Sequence, residues 1–209
     1  MHSLCLDFSG INYSTLKTKI KKIYDIKSDF LISESYCEYW ATIINCAFVS
    51  YEFLYDKYDN ENFLLYLNFC IQMETIFSLF QCVKVLSYMG LLYENLFRED
   101  SVSVTFRSML YKENTNVFSY YILKLVLLYF NTEFILWCST NNVNTIYFDK
   151  TPQNIRKIGD FFEKYYKEFD FLEKIKMMET KYKIINGSYV RPSKEILNTT
   201  MKMTVCEVE

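Results

Sequence analysis

The chain has 209 residues, 51% of them hydrophobic, which suits one domain with a sizeable core and excludes a disordered chain. A formal charge of −2 excludes a protein that holds nucleic acid by its overall charge, so any contact with RNA or DNA has to come from a local patch. Tyr and Phe number 19 and 18 against 4 Gly and 2 Pro, and Lys outnumbers Arg 19 to 4, a usage that points to the AT-rich coding of a poxvirus-like virus or an obligate parasite.

The first residues carry Asp7 and no apolar stretch, so they do not read as a secretory signal and the expected location is cytoplasmic. The only histidine, His2, stands where a terminus usually frays. Ser14 or Thr15 can cap a first helix with Leu16, Ile20 and Ile23 on one face and Lys17, Lys19, Lys21 and Lys22 on the others. Ser35 and Glu38 have the spacing of a capping box, which predicts a second helix running to about Tyr58. Asn60 then opens a third helix over 61–89, stopped by Gly90 and apolar nearly all round apart from Asn68, Gln72, Thr75, Ser78 and Gln81. Such a helix is expected at the centre of a bundle.

A short helix over 91–99 should be broken at Asp100, with another turn or two from Thr105 to Tyr111. The run from Val117 to Cys138 reads as a second central helix. Lys124, Asn131 and Glu133 within it argue against a membrane span. Thr145–Phe148 has strand character without an evident partner. Thr151-Pro152 is a strong helix start, and Ile155, Ile158, Phe162, Tyr165, Phe169 and Leu172 form a seam on a helix expected to reach Ile185. The expectation is thus an all-α, irregular helical bundle over 1–186 with two central apolar helices and a long C-terminal helix, followed by an extended tail over 187–209. The tail is too poor in apolar residues to fold by itself, so it is expected to lie on a partner, and its removal to leave stability unchanged.

Catalytic chemistry finds little to work with. One histidine, four scattered glycines and no CxxC leave no His-based relay, phosphate loop, redox pair or zinc ribbon, so neither an enzyme nor a cofactor or metal is expected, nor a small-molecule substrate. Asp56, Asp59 and Glu61 read as turn and cap residues. The seven cysteines, at 5, 37, 46, 70, 82, 138 and 206, read as reduced structural thiols. Candidate RNA or partner contacts are Lys17, Lys19, Lys21 and Lys22 on the first helix, then Lys183, Tyr189, Arg191 and Lys194 towards the C-terminus, where aromatics could stack on bases.

In its AT-rich usage, acidic pI of about 5.6, helical body and polar tail, the chain resembles ribosome-bound dormancy (hibernation) factors of microsporidian type. That resemblance implies translation inhibition by occupying tRNA or mRNA sites, with ribosomal RNA and ribosomal proteins as partners. Asn95-Leu-Phe-Arg-Glu-Asp100 also resembles the Leu-Phe-Arg-Asp part of the groove motif of viral Bcl-like inhibitors of apoptosis or innate signalling, although the Asn-Trp-Gly-Arg expected next is replaced by Ser101-Val-Ser-Val. A structural subunit of a larger complex is the third expectation. A binding protein docked on a large assembly covers all three.

Overall fold

The structure, a computed structural model, describes residues 1–187 and 201–206. Every regular element among them is helical. The order is α1 Ser14–Ile23, α2 Ile32–Glu52, α3 Asn60–Tyr88, a 3-10 turn Tyr93–Leu96, and α4 Ser101–Leu110. A π-helical turn Phe118–Leu123 then runs into α5 Lys124–Tyr129, followed by α6 Asn131–Asn141, α7 Pro152–Tyr165 and α8 Phe169–Gly187. The all-α bundle expected from the sequence is therefore what forms.

Side-chain caps set several boundaries, and some differ from the sequence reading. Asp59, not Asn60, caps α3 by accepting from the Asn62 amide. Asp100 begins a helix instead of breaking one, accepting from the Ser103 amide. Thr151 caps α7 as expected, accepting from Asn154. Ser35 lies inside α2 and donates back to the Ile32 carbonyl at 2.7 Å, so the capping box does not form. α2 ends at Glu52, short of Tyr58. Gly90 has φ 76°, a left-handed turn that suits glycine and closes α3. No strand forms at 145–148. The Phe148 amide donates to the Leu6 carbonyl at 2.8 Å and its ring packs on Phe8.

Two expected long helices are interrupted. The second central helix bends by 88° at Phe130, where φ −97° and ψ 42° leave the helical region. The C-terminal helix stops at Tyr165 and restarts at Phe169, with the Glu168 carboxylate accepting from the Asp170 amide at 2.9 Å. The restart shifts the seam: Ile155, Ile158 and Phe162 are buried, but beyond the break Phe171 and Ile175 are buried while Phe169 is exposed.

The core is dominated by rings. Tyr24, Tyr36, Tyr39 and Tyr93 are fully buried, and each hydroxyl finds a partner, as a ring with a polar tip requires. Tyr24 and Tyr93 share a hydrogen bond of 2.5 Å, Tyr36 donates to the Ile146 carbonyl at 2.7 Å, and Tyr39 donates to Asn131 at 2.7 Å. Buried Arg107 ties α4 to the loop before α2, donating to Asp25 Oδ2 at 3.0 Å and to the Arg98 carbonyl at 2.5 Å. α5 is buried, Lys124 included, and only the C-terminal half of α3, from Ser78 on, shares that central place.

Beyond Gly187 the tail is described only over residues 201–206. Residues 201–206 lie on the body of the chain itself. The Val205 and Cys206 amides donate to Glu74 Oε1 at 2.9 Å each, Asn45 donates to the Cys206 carbonyl at 2.6 Å, and the Lys124 ammonium donates to the Met203 carbonyl at 3.2 Å. Tyr189, Arg191 and Lys194 lie outside the described residues.

Candidate functional site

Two of the four lysines of the basic helix are neutralised within the chain. Lys17 pairs with Asp29, and Lys19 with Asp160 and with Glu163, the last at 2.6 Å. The bond from Lys17, and its charge, hold the Asp29 carboxyl below its usual range. Of the four α1 lysines, Lys22 is exposed and Lys21 half-buried. α1 packs on α7, which places Asp160 and Glu163 against Lys19. Lys183 is exposed on α8 and lines a groove of about 1230 Å³ together with Lys84, Lys112, Tyr88, Leu92 and Tyr121. Asn95–Asp100 lies outside that groove, and Arg98 pairs with Glu94 at 3.2 Å.

A larger feature is the hairpin of α2 and α3. Its free end exposes Phe48, Tyr51, Phe53 and Tyr55 from α2 and the turn, with Tyr58 at 90%. Leu64, Leu65, Phe69, Met73 and Ile76 follow on α3, Leu65 and Phe69 at 62% each. Of the polar stripe of α3, Ser78 and Gln81 are buried, Thr75 is half-buried, and Asn68 and Gln72 are exposed; Glu74, outside that stripe, is buried too. Glu74 faces residues 204–206, and Gln81 donates to the Lys202 carbonyl at 3.1 Å. The N-terminal half of this helix thus carries apolar side chains in solvent, while its C-terminal half lies in the core. Large exposed apolar patches are characteristic of contact surfaces. Around it stand Glu52, Asp56, Asp59 and Glu61 against one base, Lys57. Asn60–Tyr88 is long and apolar enough to cross a membrane by length and composition.

Two side-chain clusters were not legible in the sequence. His2 is not frayed: its Nδ1 lies 2.9 Å from Asp7 Oδ2, its Nε2 lies 3.1 Å from Glu34, and the Cys37 thiol is 3.7 Å from the ring. Burial, and then the nearby Asp7 and Glu34, push the Cys37 thiol well above its usual range. The second cluster joins Cys46 of α2 and Glu74 of α3 to Cys206. Burial, with Glu74 and Cys70 beside it, pushes Cys46 up to about 12. Each trio has its ligand-type atoms within 4.8 Å of one another, so each could hold a cation. The one available signal was Cys70-x3-Glu74, one helical turn apart on one face. Their partners are too distant in the chain for spacing to reveal.

No protein-family model, curated protein or solved structure matches this chain.

Proposed function

We propose that the chain is a non-enzymatic docking protein that seats the apolar end of its α2–α3 hairpin in a protein component of a large assembly, with an idle ribosome as the assembly. The observation that carries this reading is the row of solvent-facing rings and aliphatic side chains from Phe48 to Ile76. Its acidic surround favours a partner with an apolar pocket and a basic rim. The same surround repels RNA phosphates and anionic lipid headgroups. Ribosomal proteins, rather than ribosomal RNA, are therefore the surface on which this hairpin docks. The neutralisation of Lys17 and Lys19 within the chain supports the same choice.

The test is co-sedimentation of the purified chain with purified eukaryotic ribosomes, using a Leu65→Asp, Phe69→Asp double variant. Both side chains are exposed, so the helical signal should be unchanged while binding falls by about a hundredfold, as loss of two central apolar anchors implies. Binding should weaken little with added salt, unlike phosphate contact. Loss of binding in a Lys21→Glu, Lys22→Glu variant with the hairpin variant unaffected would move the interface to the basic helix. Partition into neutral lipid vesicles without binding to ribosomes would refute the reading.

A further inference from the structure

We propose that Cys46, Glu74 and Cys206 form a binding site for a thiophilic divalent cation of the zinc class. The Cys46 and Cys206 sulfurs and a Glu74 carboxylate oxygen lie within 4.8 Å of one another. Cys70 is buried in the same small cluster as Cys46 and Val49, with Cys206 packed against it. It stands one helical turn before Glu74 on the same face of α3.

The second observation is the state of Glu74. This side chain is fully buried. Its Oε1 accepts from the Val205 and Cys206 amides and from the Thr204 hydroxyl. Its Oε2 is buried with no hydrogen-bond partner among the described residues. A buried carboxylate oxygen left this way is costly, whereas one held rigid through its other oxygen is ready to coordinate. Zinc would satisfy it.

The donor set selects the ion. Sulfur-rich ligands with one carboxylate suit zinc and disfavour magnesium and calcium, which require oxygen. Two sulfurs bound to zinc at about 2.3 Å stand about 3.8 Å apart in a tetrahedron, so the ligands close in by about 1 Å. Cys206 lies on an irregular segment that can supply that movement. Charge also closes: two thiolates and a carboxylate around a divalent ion leave one negative charge, with the buried Lys124 ammonium nearby to offset it. Bound metal would clip residues 201–206 onto α2 and α3. The site is independent of the hairpin end used in docking.

Cobalt(II) is the probe, because its bonds to thiolate sulfur absorb characteristically. The reduced full-length chain should take up one cobalt per molecule with a sulfur-to-cobalt charge-transfer band that zinc displaces. Cys206→Ser and Cys46→Ser should abolish the band, and Glu74→Gln should weaken binding about tenfold or more. Cys37→Ser, in the His2 cluster, should leave the band intact. Cys206 is only half-buried, so its variant should retain the helical circular dichroism and decides the matter if Cys46→Ser does not fold. Absence of the band in the wild-type chain, its survival in Cys206→Ser, or its loss in Cys37→Ser overturns the proposal.

Discussion

At the scale of single residues, the informative groups are polar ones held out of water. Burial pushes Glu113 up to about 7, although its Oε2 accepts from the Phe118 amide at 2.7 Å, which favours the charged form. Between about 4.5 and about 7 the folded chain holds this proton and the unfolded chain has released it. The unfolded state binds fewer protons across that window, so stability falls as pH rises through it and levels off above about 7. Glu113→Gln should remove this contribution. Thermal melts of the two chains should converge near the acid end of the window, and the variant should be the more stable at its alkaline end by about 1–2 kcal/mol, a figure reduced for partial solvent access. A parallel pair of melting curves would contradict the assignment. Nothing in the local sequence marks Glu113, because its environment is made by the packing of neighbouring Tyr111 and Phe118 into the core.

At the scale of elements, chain-local signals were legible and chain-distant ones were not. Thr151-Pro152, Gly90 and the apolar face of α1 act through neighbours a few residues away, and each does what the sequence implies. The bend at Phe130 follows neither proline nor glycine, so no residue announces it. The orientation of α3 was hidden for a different reason. A helix apolar on most faces leaves its polar stripe as the only guide, and that stripe ordinarily faces water. Here Asn68 and Gln72 of the stripe do face water, but Gln81 faces inward, as does Glu74 beside the stripe, because residues 202–206 supply amides and a carbonyl far along the chain. Deleting residues 201–209 should therefore destabilise the protein by about 2–4 kcal/mol, since it strips the donors from a buried carboxylate. Chemical denaturation measures this directly. An unchanged midpoint would restore the tail to the purely partner-binding role that its composition suggests.

At the scale of the whole molecule, the fold closes by bringing its beginning to its final third. Phe8 packs on Phe148, Leu6 accepts from Phe148, and α1 lies on α7 with Lys19 reaching Asp160 and Glu163. Gly159 permits this contact: a Cβ there would stand 3.0 Å from Lys19 Cδ and 3.1 Å from Leu16 Cδ1. Gly159→Leu should force α1 away from α7 and destabilise the chain by about 1–3 kcal/mol, read as a lower denaturation midpoint with the helix content of the remaining elements retained. An unaltered midpoint would show that α1 contributes little to the core. The closure also governs the order in which the molecule can be assembled. During synthesis Leu16 and Phe8 emerge well before α7 and the loop before it, which complete the surface that covers them. The nascent chain thus carries an open apolar flank through most of its translation. The largest separations between contacting residues set the slow step in its folding, and that interval is when the chain is most exposed to aggregation and most in need of a chaperone.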